Sequence, residues 1–383
     1  MIEKLEGEGS IWDTIKREKL STFTSNNKTE KVILNNKTVQ IKHERKLMNR
    51  LLVASRTRPD IDLPKYLGMY EFFVVPLSLF TPDGSLYYPK DKATIAAELR
   101  NFQHENESES TEYDCSSNTR KVIIIDGMAI VNKINISSSQ ISNWVKNKTD
   151  DYDEFRVVFD RYDPKSLKNN TRSNRTKGLS AVYYKVSDTT RISHLSTKEF
   201  LSSIKTKSEL TEYLGKKLAE CTSKEYVVVY GNTLITNIGN LDEQLYNYNQ
   251  EEADTGIVLH AIDVTKRDPF TDLVVLCSDT DVLLILLHYF EKISSSTIFE
   301  TADHKYILHQ IYENLGPVFC KALLGFHALS GCDQTGKFPG YSKKSCWDVF
   351  LTLPSNVLQA LTHLGSSDTP PVVDIKSLLM CKI

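Results

Sequence analysis

The stretch that decides the fold runs from Glu251 to Phe290 and reads EEADTGIVLHAIDVTKRDPFTDLVVLCSDTDVLLILLHYF. Apolar residues recur at helical spacing in GIVLHAI, form a short continuous run in LVVLC, and cover nearly every side of VLLILLHYF. These patterns predict a helix, a buried strand and a buried helix. A strand that is apolar on both faces is typical of a parallel sheet covered by helices, where polar groups gather at the carboxyl ends of the strands.

Acidic residues in this stretch stand where a helix begins and where the strand ends. Asp279 and Asp281 would point the same way if the chain stayed extended between them. Glu252 and Asp254 can converge only if Glu252 precedes the helix, because residues two apart within a helix differ by about 200°. Alternatively, Glu251 and Asp254 share a helix face. Each acid also has a simpler interpretation, in which it only favours the positive end of a helix dipole.

Length and composition are those of a water-soluble globular protein. The chain has 383 residues, 40% of them apolar and 25% charged, and a net charge of −2. This length exceeds the roughly 100 to 200 residues of a typical domain. The seven cysteines form no CxxC pair, which favours buried thiols over a disulfide framework or a zinc site. No apolar run is long enough to cross a bilayer, and the first residues lack a signal-peptide core, so we expect an intracellular protein.

A polar stretch, HENESESTEYDCSSNT, predicts a domain boundary near residue 115. Residues 1–115 are interpreted as an N-terminal α+β extension of unknown role, which includes a hairpin around two NNKT copies. Residues 116–383 are predicted to form the second domain, in which 178–250 is interpreted as an insertion. The chain stops within LLMCKI, in what reads as an element in progress, and we expect a truncated C-terminus.

Two more apolar strands end in aspartate. KVIIIDGMAI closes with Asp126, where Gly127 lets the chain turn away, and RVVFD closes with Asp160. Further along, the apolar helix PVFCKALLGFHALSG carries His327, which we interpret as a satisfied core histidine, and leads to Gly-Cys-Asp333. The candidate acids are therefore Asp126, Asp160, Glu251 or Glu252, Asp254, Asp279, Asp281 and Asp333.

Carboxylates that share one cleft repel one another unless cations neutralise them. A site whose ligands are all oxygen atoms suits Mg²⁺ or Mn²⁺. Two such ions roughly 4 Å apart commonly catalyse the attack of water on a phosphodiester. After Asp160 the basic segment RYDPKSLKNNTRSNRTK places Lys168 and Arg175 on one helix face, with Lys165 and Arg172 in a neighbouring row. Phosphates would suit this face, although a plain solvated helix is the alternative.

From Lys121 to Phe350 the chain resembles the PIN-like superfamily, and within it the flap endonuclease type of structure-specific 5′ nuclease. The matched motifs occur in the family's order. They are Asp126 in VIIIDGMA, Asp160 in VVFDRYDP, Glu252-Ala253-Asp254 at a helix start, Asp279 and Asp281 in CSDTDVL, and Asp333 in SGCDQTG. Two departures stand out, since Arg161 replaces the usual glycine and Glu251 has no counterpart.

The resemblance implies an α/β PIN-like domain, with a mainly parallel twisted sheet and helices on both faces. It also implies a nuclease, expected to be an endonuclease, that uses two Mg²⁺ or Mn²⁺ ions, and nucleic acid as partner, with DNA favoured over RNA. By the same resemblance, Lys168 and Arg175 contact the scissile phosphate. Lys343 and Lys344 correspond to a duplex-gripping hairpin, in which Ser342 replaces a glycine. The alternative is a non-catalytic nucleic-acid-binding or scaffolding protein; loss of the acids would be its signature, and they are largely present.

Overall fold

In the computed structural model the chain divides into two compact units, one of residues 1–88 with 334–340 and the other of residues 89–333 with 341–383. In the first unit, β1 (Glu30–Leu34) pairs antiparallel with β2 (Lys37–Ile41), which confirms the hairpin expected around the NNKT copies. The structure describes residues 30–34, 37–41, 56, 58, 81, 86–88, 93–103, 119–133, 138–162, 182–187, 196–220, 222–246, 252–332 and 335–365.

The second unit alternates strands with helices. Its strands are β3 (Lys121–Asp126), β4 (Glu154–Val158), β5 (Glu225–Tyr230), β6 (Thr233–Thr236), β7 (Asp272–Leu276), β8 (Ile298–Glu300) and β9 (Lys305–Ile307). Its α-helices are α1 (Thr94–Arg100), α2 (Gly127–Lys133), α3 (Ser138–Thr149), α4 (Thr197–Phe200), α5 (Ile204–Glu220), α6 (Ala253–Arg267), α7 (Thr280–His288), α8 (Leu308–Leu315), α9 (Pro317–Leu329), α10 (Lys343–Phe350) and α11 (Ser355–His363).

The seven strands of this unit form one sheet in the order β6-β5-β4-β3-β7-β8-β9. The five inner strands run parallel, whereas β6 and β9 pair antiparallel at the two ends. The chain starts in the middle at β3, moves out through β4 and β5, and then returns to the other side of β3 with β7. This reversal leaves a crevice at the carboxyl ends of the central strands. The predicted α/β fold with a mainly parallel sheet is confirmed.

Side chains of β3 alternate between two hydrophobic clusters, one on each face of the sheet. Val122 and Ile124 pack on one face with α6, α7 and α9, whereas Ile123 and Ile125 pack on the other with α3 and α5. This alternation follows from the two-residue period of a strand. A strand buried on both faces is usually a nearly continuous apolar run, and KVIII accordingly carries no polar residue after its lysine.

One polar side chain inside this core fixes the position of α6. Arg156 of β4 is fully buried; its Nε donates to Glu154 Oε1 at 2.5 Å and its Nη1 to Asp263 Oδ2 at 2.7 Å. A buried guanidinium is tolerated only when it is paired and hydrogen-bonded. Because Asp263 lies on α6, this ion pair ties that helix to β4.

The apolar and aromatic residues of AVYYKVS predict a short strand in the sequence, but that prediction is wrong, since residues 182–187 have no regular secondary structure. The N–H of Tyr184 donates to Thr206 Oγ1 and that of Val186 to Glu209 Oε2. These backbone groups therefore bond to side chains of α5 and not to a neighbouring strand. Ser196 and Glu199 have the spacing that predicts a capping box in the sequence, and reciprocal hydrogen bonds at the start of α4 confirm it.

The division into 1–115 and 116–383 stays a prediction, as does the insertion at 178–250. In the structure α1 belongs to the second unit, where Ile95 and Leu99 are buried in one core cluster. The range 178–250 supplies α5, β5 and β6 to the same unit, two of them as strands of the sheet. None of the helices described is long and apolar enough to span a bilayer.

Candidate metal centre

The register of the sheet brings the ends of three central strands together. Asp126, the last residue of β3, is paired with Val158 of β4, and Asp160 follows two residues later. On the other side Ile125 is paired with Leu276 of β7, so Asp279 lies just beyond that strand. Parallel strands end at the same edge of a sheet, and the three predicted acids therefore reach one edge.

Two pairs of acids lie at the N-termini of α6 and α7, one member of each pair at the N-cap and the other in the first turn. Glu252 is the extended N-cap of α6 and Asp254 lies in its first turn, as one of the two alternatives predicted. Asp279 is likewise the extended N-cap of α7 and Asp281 lies in its first turn. The condition under which Asp279 and Asp281 would point the same way, an extended chain between them, is not met, because the helix begins at Thr280.

Three of these carboxylates form a compact cluster. One oxygen each from Asp254, Asp279 and Asp281 lies within 4.8 Å of the other two, which makes this a potential metal-holding group among the residues described. Asp254 and Asp281 are partly buried, and Asp279 is exposed to solvent. A ligand therefore has access from the side of Asp279.

Asp126 and Asp160 are electrostatically coupled to this cluster. Burial is the main cause that raises the pKa of Asp254 to about 8. The negative charges of neighbouring acids contribute to the same rise; they are those of Asp279, Glu252, Asp160 and Asp281. Burial likewise raises the pKa of Asp126 to about 6, with contributions from Asp160 and Asp279, although hydrogen bonds from the Met128 N–H and the Cys277 thiol oppose the rise.

Helix N-termini and a thiol hold the acids in place. The Met128 N–H donates to Asp126 Oδ1 at 2.9 Å, and the Ala253 N–H, at the start of α6, donates to Asp160 Oδ1 at 3.0 Å. The Cys277 thiol lies 3.5 Å from Asp126 Oδ2 and accepts the Asp279 N–H at 3.3 Å. Positive helix ends stabilise nearby carboxylates, which is how the fold accommodates so many acids at one edge.

Gly127 is required here for space and not for a turn. It is absent from the glycines with positive φ in the described chain, and a Cβ at this position would come within 2.2 Å of the Phe159 ring. The chain does pass from β3 into α2 at Gly127, as expected, but without the positive φ that glycine adopts more readily than other residues. Its missing side chain lets β3 and the end of β4 approach closely, and this approach brings Asp126 toward Asp160.

The donor set fits a hard divalent cation. Its candidate ligands are all carboxylate oxygens, which Mg²⁺ and Mn²⁺ prefer over softer donors. Burial and the like charges of neighbouring acids both raise the pKa values of Asp254 and Asp126, and a bound cation would favour the deprotonated carboxylates. Asp254, Asp279 and Asp281 could hold an ion together, with Asp126, Asp160 and Glu252 near by.

The remaining predicted residues either lie outside the described chain or serve other contacts. Lys343 is buried at the start of α10 and donates to the Gly331 carbonyl. Lys344 pairs with Glu98 and Asp348. A role for either lysine in nucleic-acid binding stays a prediction. Glu251, Asp333, Lys165, Lys168, Arg172 and Arg175 lie outside the described residues.

Several neighbours of the cluster were missed in the sequence. Tyr162 donates to the Met128 sulfur at 3.2 Å, and the Lys207 ammonium of α5 lies 5.8 Å above the Tyr162 ring. Cys277 could have been noticed, because it directly follows an apolar strand and precedes Asp279. Lys207 carries no such signal, since only folding brings α5 beside β4.

The fold and site define a class of α/β protein with an acidic cluster at the carboxyl edge of a parallel sheet. The chain matches no family model and no curated protein. Two solved structures are similar at 12% identity: the T5 D15 protein co-crystallised with metal ions, with a TM-score of 0.37, and a mutant of the T5 5′-exonuclease, with a TM-score of 0.33. The alignments cover 64% of this chain and 88% and 87% of those proteins.

Proposed function

We propose that this protein is a divalent-metal-dependent nuclease of the PIN-like type that hydrolyses phosphodiester bonds by a two-metal-ion mechanism. The observation that carries the proposal is the meeting of Asp254, Asp279 and Asp281 within 4.8 Å at the carboxyl edge of the sheet. These acids come from two separate helix starts, and Asp126 and Asp160 from two strand ends are coupled to them. The order of these acids along the chain is also the order in which the PIN-like motifs occur.

The carboxylates would hold the cations and so place the phosphodiester. Asp254, Asp279 and Asp281 form the compact part of the site, and Asp126, Asp160, Glu252 and Asp333 complete the proposed ligand set. Two bound divalent ions would lower the pKa of an attacking water and stabilise the charge that develops on the phosphorus oxygens. The exposed position of Asp279 leaves room for a phosphate to approach.

Basic residues would attract and orient the nucleic acid. Lys168 and Arg175 are proposed to contact the scissile phosphate, with Lys165, Arg172 and Lys344 along the backbone. We propose DNA as the substrate before RNA, and internal cleavage before cleavage from an end. A net charge of −2 requires that such binding come from a local patch.

The purified 383-residue chain should cleave labelled flap DNA, single-stranded DNA or RNA in Mg²⁺ or Mn²⁺ and not in EDTA. The sharpest variant is Asp279→Asn, because asparagine still caps α7 while the negative charge is lost. We expect cleavage to fall by more than about a hundredfold, since even the partners of metal ligands are worth roughly 10- to 100-fold. Gel assays at several cation concentrations would measure it.

Asp242→Asn is the matched control. Asp242 also caps a helical turn and accepts the Gln244 N–H at 2.9 Å, but it lies outside the acidic cluster, so its activity should equal that of the wild type. Unchanged cleavage by Asp279→Asn would contradict the proposal. Nucleic-acid binding that ignores chelation, with no turnover, would favour the non-catalytic alternative.

A further inference from the structure

His327 of α9 contacts the acidic cluster from the side of the core. Its ring Nε2 lies 3.1 Å from Asp281 Oδ1, and its side chain is 9% exposed. The two residues are 46 positions apart in the chain, but α9 packs against α7 in the same hydrophobic cluster. The packing of α9 against α7 therefore brings the imidazole against the partly buried Asp281.

His327 differs from two other histidines of the same unit in how its ring nitrogens are hydrogen-bonded. The Nδ1 of His260 lies 3.2 Å from Arg156 Nη1, and the Nδ1 of His288 lies 2.8 Å from the Lys321 carbonyl. Within the described part of the chain, neither ring nitrogen of His327 makes a hydrogen bond of normal geometry. The interpretation of His327 as a satisfied core histidine is therefore wrong.

The contact with Asp281 has the right distance but not the right angle. At 3.1 Å His327 Nε2 and Asp281 Oδ1 are within hydrogen-bonding range. The two groups are, however, not aligned for a hydrogen bond. A small rotation of the carboxylate or the ring would align Nε2–H with Oδ1. A carboxylate has two oxygens with about four lone-pair sites, so Asp281 can accept this bond and still ligate a cation.

We propose that His327 is a positioning residue, whose imidazole donates its Nε2–H to Asp281 Oδ1 and holds that carboxylate in the orientation needed to bind a divalent cation. This inference rests on the proposed function, because it assigns Asp281 to a cation site. Groups that bond to metal ligands fix the orientation of those ligands, and their loss weakens metal affinity. Without His327, the Asp281 carboxylate would lose this contact and would rotate more freely.

The test is Mn²⁺ binding to the full chain, measured by electron paramagnetic resonance and by calorimetry without any substrate. His327→Leu places an apolar side chain of moderate size at this position and removes the Nε2–H donor. We expect Mn²⁺ affinity to fall about 10- to 100-fold. His327→Gln can place an N–H near the position of Nε2 and should restore most of that affinity. Thermal unfolding of each variant without metal separates loss of fold from loss of affinity.

His288→Leu is the matched control, because it removes a histidine hydrogen bond from α7, the helix that carries Asp281. It should lower the melting temperature and leave Mn²⁺ affinity unchanged. Wild-type affinity in His327→Leu, or an equal loss in His327→Leu and His327→Gln, would overturn the inference. If wild-type chain binds Mn²⁺ with this dependence on His327 but cleaves no nucleic acid, the inference stands and the proposed function fails.

Discussion

At the scale of single residues, one arrangement brings two pairs of acids together. Glu252 and Asp254 at α6, and Asp279 and Asp281 at α7, each combine an extended N-cap with a residue of the first turn. Within a continuous helix such residues would point about 200° apart. The non-helical cap residue removes this restriction, and at α7 the Asp281 N–H donates to Asp279 Oδ1 at 3.0 Å.

The raised pKa values predict that the metal-free protein loses stability as pH rises. Asp254, with a pKa of about 8, and Asp126, with a pKa of about 6, keep protons in the folded state that the unfolded chain releases near pH 4. The folded state thus binds more protons between pH 4 and 8, so the free energy of unfolding decreases over that range. Asp254 alone accounts for about 6 kcal/mol at most.

Urea unfolding in EDTA at pH 5, 6, 7 and 8 would measure this dependence. Asp254→Asn cannot ionise, so its unfolding free energy should decrease less between pH 6 and 8 and should exceed that of the wild type at pH 8. Asp242→Asn should follow the wild type at every pH. An identical slope in Asp254→Asn and wild type would show that Asp254 is not strained.

At the scale of helices and strands, close contacts decide where the acids lie. Arg156 ties α6 to β4 through Asp263, and α6 carries Asp254. On the far side, α9 carries His327 and packs between α7 and α11. Gly325, two residues before His327, faces α11 so closely that a Cβ would lie 2.1 Å from the Leu361 carbonyl oxygen.

Gly325→Ala should therefore push α11 away from α9. The atom in the way is backbone and cannot rotate aside, so we expect the variant to lose about 2 to 4 kcal/mol of unfolding free energy, beyond the usual range for overpacking. Chemical denaturation followed by circular dichroism would give the value. Gly239→Ala is the control, because nothing lies within 4 Å of a Cβ there. Equal stability of the two variants would rule out the close approach.

At the scale of the whole molecule, the strand order puts the acids at the best-supported part of the sheet. β3 has a parallel neighbour on each side, whereas β6 and β9 end the sheet in the described chain. Sites on such a scaffold are held more rigidly than sites on loops. The carboxyl edge of β3, β4 and β7 is thus a rigid frame for the candidate metal centre.

Hydrogen exchange should show both this frame and the linkage across it. Amides of β3, β4 and β7 should exchange most slowly, and those of β6 and β9 faster. Added Mn²⁺ should slow exchange in the first turns of α6 and α7 together, because one ion would join them. Mass spectrometry of peptic peptides would detect the change. Protection of only one of these turns, or the same protection in Asp254→Asn, would contradict the proposed site.

Sequence reasoning succeeded where short-range patterns dominate. Apolar runs such as LVVLC and KVIII identified the buried strands, and the acids that follow them were found by position alone. It failed where a choice depends on distant groups. The segment 182–187 reads as a strand, but its N–H groups bond to α5. Gly127 reads as a turn residue, but its role depends on the Phe159 ring.

The amino-acid sequence by itself determined the α/β class, the parallel sheet and the set of acids at strand ends and helix starts. These features follow from apolar periodicity and from the residues at the ends of each apolar run, which are local properties of the sequence. Only the tertiary structure decided that Asp254, Asp279 and Asp281 meet within 4.8 Å, and that His327 contacts Asp281. Those distances depend on strand order, on register and on the packing of α9 against α7. Each of these joins residues far apart in the chain, and no pattern within a short window records them.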